Sequence, residues 1–441
     1  MTRFQRKYAF AAALAFAAKN AAGAFTIGAP SGLGAGTTGG AGGEVVYPTS
    51  NAELIEYMNH TLPFIIVLNR TFDFRGTEGT TTEIGCRPIG TRLCMEQNNG
   101  FKGQDVILQK GGMNNTGGCT NGTEVMVTYD NAGIQRVLVR DNKTIRGIGK
   151  NGVLIGKGLS LRNNIIVQNI HITELNPHLV WGGDAIFVPG SDQGKTVGTN
   201  VWLDHVKVSR IGRQMVVTSS AGVSGMTISN SEFDGNTDFS MSCDGHHTWT
   251  SLFYGKNTAV TMVNNYVHGT SGRTPKVGGE KGDNVVVHMV NNYWSNNTGH
   301  SIDVGLNGHI LAEGNYFENT NLTLRIGKQE GALYAFNHTV GSDLCPSYLG
   351  RPCAENVLVK SSNLTSRNET VALEVMKTYP NIVDYMSKMA RSTSLEMPHG
   401  KKSISKTDDT FCGMNLPPVH GRDLANIWAQ TTENFGVGKL D

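Results

Sequence analysis

The stretch Val201-Trp202-Leu203-Asp204-His205 decides the fold prediction, because it is a short apolar strand that stops at a polar residue. From about residue 143 the chain repeats a β-branched strand, an Asn or His, a second short strand and a turn. Centred on the polar residue, the repeats are Gln168-Asn169-Ile170, Asp204-His205-Val206, Ser229-Asn230-Ser231, Asn264-Asn265-Tyr266, Asn291-Asn292-Tyr293 and Gly314-Asn315-Tyr316. Their successive spacings of 36, 25, 35, 27 and 23 residues predict a solenoid coil of three short strands with loops of variable length.

The recurring polar residue has a physical reason to occupy a corner of the coil. Asn tolerates the left-handed backbone of a tight corner, and its amide can bond to the equivalent residue one coil away. His205 stands at one rung of this expected ladder, so we interpret it as a corner residue in preference to a catalytic one. Trp202 lies in the preceding strand and is expected in the core.

The composition agrees with many short strands joined by tight turns. Gly contributes 55 of 441 residues, about 12% against an average of roughly 7%, and charged residues make up only 17%. The formal charge of +2 and the isoelectric point near 8.1 argue against a nucleic-acid-binding surface, which normally carries a clustered basic excess. A neutral or weakly acidic partner fits this balance better.

The N-terminal residues 1–24 are predicted to be a cleaved secretory signal. Basic residues within the first seven positions precede the apolar run from Tyr8 to Ala18, and small residues follow at Ala22-Gly23-Ala24. Eleven apolar residues are about half of what a membrane span needs, so we expect no membrane anchor. A Gly-rich segment, 25–43, is expected to be extended or mobile.

The ordered domain is predicted to cover residues 44–356. Ser50-Asn51-Ala52-Glu53 has the form of a capping box, which predicts a short N-terminal capping helix, and 63–68 reads as the first buried strand. Residues 357–441 are predicted to form a C-terminal capping appendage or a partly disordered tail. Within it, 371–389 has apolar residues at mixed helical spacing interrupted by Pro380, and 391–409 resembles a linker.

Cysteine usage supports export. The chain has seven cysteines, which in a secreted protein imply disulfides with one thiol left over, and no spacing resembles a zinc site. Asn-x-Ser/Thr glycosylation sequons add weak support; they are at Asn59, Asn69, Asn114, Asn121, Asn142, Asn296, Asn321, Asn337, Asn363 and Asn368.

Five motifs, taken together and in order, resemble the secreted pectin lyases. They are Trp181-Gly182-Gly183-Asp184-Ala185-Ile186, Val201-Trp202-Leu203-Asp204-His205, Arg210-Ile211-Gly212-Arg213-Gln214, Asp244-Gly245-His246-His247 and Ser271-Gly272-Arg273-Thr274-Pro275-Lys276. The resemblance runs from about residue 45 to residue 356. It implies an all-β fold, a right-handed parallel β-helix with three sheets, and cleavage of methyl-esterified homogalacturonan, the pectin backbone, by β-elimination. We expect a monomer.

The resemblance also implies residue roles. Arg273 matches the family's proposed base, Arg213 and Lys276 would supply positive potential, and Asp184 would orient or partly balance them. An arginine base is chemically demanding, because lowering its pKa by four units costs about 5 kcal/mol. Crowding by the other two cations acts in the required direction. The alternative is that Arg273 binds the carboxyl oxygens while hydroxide or water removes the proton.

Arg213 distinguishes two related enzymes. Pectate lyases bind their polyanionic substrate through Ca²⁺ held by several carboxylates, and one of those carboxylates occupies the position that Arg213 takes here. A fixed guanidinium would repel the cation, so we predict calcium-independent action with no metal and no cofactor. A calcium-dependent pectate lyase and a non-catalytic wall-binding glycoprotein on the same scaffold remain the alternatives.

Further positions follow from the same likeness. Trp181 and Trp249 match aromatic residues that line the pectin lyase cleft, with packing against a loop as the alternative. The early loop, 95–119, contains only Phe101 where the family has more aromatic residues. His246 and His247 could touch substrate or pack in the wall. The implied disulfides are Cys86 to Cys119, Cys94 to Cys243 and Cys345 to Cys353, which leaves Cys412 unpaired.

Overall fold

The structure, a computed structural model, describes residues 25–115, 119, 121–327, 330–337, 342–385 and 435–440. It is a right-handed parallel β-helix, as predicted: three parallel sheets run along its axis, and each coil adds one strand to each sheet. The predictions for the signal segment 1–24, the linker 391–409 and Cys412 lie outside the described residues.

The first sheet has ten strands, one from each successive turn of the chain. Its strands are Glu44–Val46, Phe64–Leu68, Lys143–Gly147, Ile165–Gln168, Val201–Asp204, Met226–Ser229, Thr258–Val263, Val285–Val290, Gly308–Glu313 and Ala332–Ala335.

The second sheet has eight strands and carries the residues of interest for function. Its strands are Val137–Val139, Leu159–Leu161, Ile186–Val188, Val216–Thr218, Ser251–Phe253, Lys276–Val277, His300–Val304 and Leu322–Leu324.

The third sheet has nine strands, and a separate four-stranded sheet is built from the early loop and the segments that flank it, together with Leu179–Val180. The third sheet contains Thr71–Asp73, Val153–Ile155, His171–Leu175, Lys207–Ile211, Glu232–Asp234, Tyr266–His268, Tyr293–Ser295, Tyr316–Glu318 and Val357–Val359. The four-stranded sheet contains Thr80–Arg87, Asp105–Val106, Thr123–Asp130 and Leu179–Val180.

The helices are short and lie outside the coils. The α-helices are Asn51–Asn59, Ile89–Gln97, Asn131–Ile134, Cys345–Leu349, Glu369–Met376 and Pro380–Val383, and 3₁₀ turns occur at Gly32–Gly34, Gly112–Asn115 and Asp192–Gly194. The Ser50 hydroxyl accepts from the Glu53 N–H at 3.2 Å, so the predicted cap is present. Among the described residues, no helix is long and apolar enough to cross a membrane.

The core explains why the strand Val285–Val290 is apolar at every position except His288. Val285, Val287 and Met289 point into the coil and join its central cluster. Val286 points out and is covered by the C-terminal helices, which bury Leu373 and Met376. Both faces of this strand are therefore buried, and period-two alternation of polar and apolar residues is lost.

The corner ladder exists, but it consists of two adjacent positions and not one. Left-handed backbone occurs at Asn169, His205, Asn230, Asn264 and Asn291. The buried amide chain runs one residue later, where Nδ2 groups donate to the next Oδ1 at 2.9–3.0 Å through Asn265, Asn292, Asn315 and Asn356. The repeat pattern in the sequence treats these two positions as one, because both are Asn at 264–265 and at 291–292. His205 lies at a left-handed corner beside Asp204, as interpreted.

Two expectations about the ends of the domain are wrong. The Gly-rich segment 25–43 was expected to be extended or mobile, but it packs on the first sheet: the N–H groups of Leu33 and Gly34 donate to the hydroxyls of Thr261 and Thr227 at 3.0 Å. Glycine permits this close approach, because a Cβ at Gly34 would lie 2.6 Å from a backbone nitrogen. At the other end, Val357–Val359 is still a strand of the third sheet.

Candidate active site

The candidate site lies on the outer face of the second sheet. One row of side chains alternates with the core residues and runs across neighbouring coils in register: Phe187, Val217, Leu252, Lys276 and Asp303. The strands are parallel, so the residues just before each strand meet at the same edge of the sheet. That edge carries Asp184, Arg213, Trp249 and Arg273, so the structure brings the predicted residues to one surface.

Asp184 is held between two guanidinium groups. Its Oδ2 lies 3.2 Å from Nη1 of Arg136, and its Oδ1 lies 3.8 Å from Nη1 of Arg213. Oδ1 also accepts from the backbone N–H of Gln214 at 3.0 Å. Asp184 therefore balances two cations, and the sequence indicated only one of them.

Arg213 is a largely buried cation with an aromatic partner. Its guanidinium carbon lies 3.4 Å from the centroid of the Trp181 ring, and its backbone N–H donates to the carbonyl of Gly183. Burial lowers the pKa of Arg213, Asp184 opposes that shift, and Arg136 adds to it. The side chain is consequently a fixed positive charge in a poorly hydrated place.

Arg273 has the same arrangement two coils further on. Its guanidinium carbon lies 4.5 Å from the centroid of the Trp249 ring, and its backbone is left-handed, with φ of 54°. Burial lowers the pKa of Arg273 to about 10, and the positive charge of Arg213 adds to this effect. Left-handed backbone is unfavourable for a branched or long side chain and is enriched at functional sites.

Lys276, three residues after Arg273, belongs to the same field of positive charge. Its pKa is lowered by burial and then by Arg273. Asp303 faces it on the next coil and pairs with Arg325 at 2.8 Å. His300 lies beside this group, and its pKa is lowered first by burial. The described part of the cleft edge therefore carries Arg136, Arg213, Arg273, Lys276 and Arg325 against Asp184 and Asp303.

The two tryptophans have a role that the sequence did not indicate. Trp181 and Trp249 pack against the early loop, in a cluster with Val106, Val180 and the Cys86–Cys119 disulfide. Each also presents a ring face to one of the arginines. Packing against the loop was the alternative prediction for both tryptophans, and this packing is present in the structure. Stacking on sugar stays a prediction.

The remaining predicted residues lie in or beside the wall of the site, in disulfides or on the exposed early loop. His247 is buried and its ring Nε2 lies 2.6 Å from the carbonyl oxygen of Arg213, so it belongs to the wall. His246 is partly buried beside Asp244. The pairs Cys86–Cys119, Cys94–Cys243 and Cys345–Cys353 are disulfides, as the resemblance implied. Phe101 is exposed on the early loop.

Sequence reasoning missed Arg136, Arg325 and Gln104. Arg136 directly precedes the strand Val137–Val139, and its guanidinium lies 4.5 Å from the Phe187 ring. Its position before a strand of the second sheet is the signal that could have found it. That signal needs the register between coils, which the sequence does not contain.

A protein-family model described as pectate lyase matches residues 94–347, more than half of the chain. Relatives agree: the chain is 43% identical over 348 residues to a probable pectin lyase F of Aspergillus flavus, covering 78% of this chain and 76% of that one. The chain belongs to the pectate/pectin lyase superfamily.

Two further similarities extend this membership. A probable pectin lyase A of Aspergillus fumigatus is 41% identical over 357 residues, covering 79% of this chain and 88% of that one. A solved pectate lyase structure superposes with a TM-score of 0.53 at 16% identity, over 94% of this chain and 98% of that one. At that identity the structural match speaks for the fold alone.

A calcium-dependent enzyme was one of the alternatives from the sequence, so the metal-binding groups available at this site are informative. Both carboxylate oxygens of Asp184 face guanidinium groups. Among the described residues, groups of three possible metal ligands occur at Glu232, Asp234 and His268 and at Asp343, Cys345 and Cys353. Lys207 occupies the first group and a disulfide closes the second. The residues at the cleft do not fit a Ca²⁺ site, which needs roughly six to eight oxygen ligands.

Proposed function

We propose that the chain is a calcium-independent pectin lyase, which cleaves methyl-esterified homogalacturonan by β-elimination at Arg273. The observation that carries this proposal is the surroundings of Arg273: a partly buried guanidinium stacked on Trp249, with Arg213 and Lys276 as its charged neighbours. The names of the relatives support the reaction class.

The reaction needs a base and a stabilised anion. The base removes the proton on C5 of a galacturonate ester, and the electron pair moves into the ester to give an enolate-like charge. That pair then forms the C4–C5 double bond while the bond from C4 to the glycosidic oxygen breaks, and the leaving oxygen gains a proton. Cations placed where the enolate charge develops lower the barrier.

Arg273 can supply the base. With a pKa of about 10, about one molecule in a hundred carries a neutral guanidine at pH 8, against about one in thirty thousand at the ordinary 12.5. The neutral nitrogen takes the C5 proton and becomes a guanidinium beside the new anion. Arg213 and Lys276 stay positive and stabilise the enolate.

Arg136 and Arg213 explain why the substrate would be esterified polymer. A methyl ester is uncharged, so it needs no bridging divalent cation. Its C5 proton is also more acidic than that of a carboxylate, because the enolate carries one negative charge in place of two. The guanidinium groups of Arg136 and Arg213 already face both oxygens of Asp184, so this carboxylate is not available to bind a calcium ion.

The polymer substrate places the reaction outside the cell. We accordingly propose that residues 1–24 are a cleaved secretory signal, that the lyase domain begins near residue 44 and extends past residue 356 to include the strand Val357–Val359, with the residues after it as an appendage, and that the enzyme acts as a secreted monomer. Three disulfides favour an oxidising compartment.

The test compares two substrates in the ultraviolet absorbance of unsaturated uronate products. We expect release from highly esterified pectin with a chelator present, and much slower release from polygalacturonate with Ca²⁺. The reverse preference would identify a calcium-dependent pectate lyase, which the family description leaves as the second candidate. No absorbance on either substrate at any pH would identify a non-catalytic wall-binding protein.

Arg273→Lys tests the central residue. Lysine keeps a positive charge but loses the planar ring contact and the fork of N–H groups. We expect kcat on esterified pectin to fall by at least two orders of magnitude with little change in binding. Activity within about threefold of the parent, less than about 0.7 kcal/mol of barrier, would remove Arg273 from the chemistry.

A further inference from the structure

Gln104 lies in the early loop, far from the coil motifs in sequence, and connects the two arginines of the proposed site. It is fully buried. Its Nε2 donates to the carbonyl oxygens of Gly212 at 3.0 Å and Pro177 at 2.9 Å. Its Oε1 accepts from the indole N–H of Trp249 at 3.1 Å. One amide side chain thus holds the backbone beside Arg213 and the ring that stacks on Arg273.

His247 makes the matching connection from the opposite side. Burial lowers the pKa of His247 to about 4, so the ring is neutral in any working buffer. Its Nε2–H lies 2.6 Å from the carbonyl oxygen of Arg213 and 3.1 Å from that of Trp249. Gln104 and His247 therefore link the same two segments, 212–213 and 249: they bind the adjacent carbonyls of Gly212 and Arg213, and they bind the indole N–H and the carbonyl of Trp249.

The residues around Gln104 hold these hydrogen bonds in place. The hydroxyl of Thr91 donates to the backbone carbonyl oxygen of Gln104 at 2.6 Å. The next two residues, Asp105–Val106, pair with the strand Leu179–Val180. On the other side, Gly212 sits where a Cβ would lie 2.5 Å from the Leu179 carbonyl oxygen. The Gln104 amide and the backbone at Gly212 are closely packed, so a change of side chain at Gln104 must move either segment 212–213 or Trp249.

We propose that Gln104 is a positioning residue, which, together with His247, sets the spacing between the Arg213–Trp181 pair and the Arg273–Trp249 pair. This rests on the proposed function, because it assigns Gln104 a role in that reaction. Acting through Trp249 and Gly212, it does not touch substrate. Displacements of about 1 Å in such an arrangement can reduce rates by two orders of magnitude.

The test is Gln104→Met, with Gln168→Met as the matched control. Methionine approximates the shape of glutamine and cannot form the same bonds. Gln168 is also a buried amide of the coil, and its Nε2 donates to the Ile27 carbonyl and to Asp204 at 2.9 and 2.8 Å, remote from the cleft. We expect both variants to lose some thermal stability, and only Gln104→Met to lose kcat, on the order of tenfold or more, at little-changed KM.

A double-mutant cycle shows whether Gln104 acts through the indole N–H. Trp249→Phe keeps a ring face for Arg273 and removes the N–H, and it tests the same bond if Gln104→Met fails to fold. We expect Trp249→Phe to lower kcat and the two changes together to cost clearly less than the product of their separate effects. Equal kcat in the parent and in both single variants would overturn the inference, as would strictly multiplicative losses. A parent without lyase activity would instead overturn the proposed function.

Discussion

The pH dependence of the reaction can decide whether Arg273 or water is the base. In the structure its pKa is about 10, lowered by burial and by the charge of Arg213, while Asp303 acts in the opposite direction and Arg325 adds a smaller lowering. Asp303 and Arg325 form an ion pair at 2.8 Å. They are the two neighbours whose charges can be removed without changing a proposed reacting group.

The perturbation is a pair of nearly isosteric changes with opposite expected signs. Asp303→Asn removes the negative charge that holds the Arg273 pKa up, so the pKa should fall and the neutral guanidine should be more abundant at a given pH. Arg325→Gln removes a positive charge, so the pKa should rise. Each change alters only one of several contributions to the Arg273 pKa. We therefore expect the neutral fraction at fixed pH to change by about threefold, well short of the roughly 300-fold that separates a pKa of 12.5 from one of about 10.

The assay is kcat/KM on highly esterified pectin against pH, with the spontaneous alkaline elimination of the polymer subtracted. This ratio reports the pKa of the free enzyme. If neutral Arg273 is the base, kcat/KM rises about tenfold per pH unit and levels near pH 10. The break should move to lower pH in Asp303→Asn and to higher pH in Arg325→Gln.

The pH at which kcat/KM changes slope is informative, and the absolute value of kcat/KM is not. Removing Asp303 makes the cleft more positive and would stabilise the enolate whichever group is the base. If water is the base and charged Arg273 binds the ester, activity falls where Arg273 deprotonates, and Asp303→Asn brings that fall to lower pH. Hydroxide acting with charged Arg273 is kinetically equivalent to neutral Arg273 and also gives a profile that rises and levels near the Arg273 pKa. A rising limb that neither variant moves, or a falling limb near pH 10, would refute the assignment of Arg273 as base.

Three more outcomes follow from the structure. Trp249→Leu should lower kcat by about thirtyfold while Trp249→Phe retains more activity, since a cation–π contact in a desolvated site contributes about 2 kcal/mol; kinetics on esterified pectin check this, and equal activity of the two variants would contradict it. Saturating chelator should leave kcat/KM on esterified pectin unchanged, and recovery of lost activity by added Ca²⁺ would contradict the site described above. Glu313→Gln should destabilise the fold by about 3 kcal/mol or more with kcat per folded molecule unchanged, because Glu313 is buried against Arg351 and His288 at 2.7 Å each; denaturant unfolding at neutral pH measures it. The pKa of Glu313 lies far below its ordinary value of 4.5, so this stability is present above that value and decreases as the pH falls below it, which unfolding at acid pH would show.

The sequence predicted the coil because the coil is local. Each strand is short, most of these corners carry an Asn, and the pattern recurs within about 25–35 residues, so neither long-range pairing nor exact register is needed to recognise it. Where two adjacent positions carry the same residue type, as at Asn264 and Asn265, the pattern could not assign the corner. The Gly-rich segment was misread because its partners, Thr227 and Thr261, are about 200 residues away.

The same distinction separates the predicted from the missed parts of the site. Asp184, Arg213 and Arg273 came from motifs that a resemblance could match. Arg136 and Gln104 carry no such pattern, because their roles depend on which coil edge or carbonyl lies opposite them. Those contacts are set by the register of neighbouring coils and by the path of a loop closed by two disulfides, Cys86–Cys119 and Cys94–Cys243.

The use of tryptophan beside each arginine resolves a conflict in the proposed chemistry. An arginine is usually held in place by a carboxylate, but a paired carboxylate raises its pKa and would make it a poorer base. Arg213, which need only stay charged, has Asp184 as its acidic neighbour. Arg273 is held by the face of Trp249, which fixes the guanidinium through its quadrupole while contributing burial, and burial lowers the pKa. In the proposed reaction, a carboxylate in the place of that ring would hold the side chain equally well but raise its pKa, so the aromatic partner favours Arg273 as the base over a carboxylate-paired arginine.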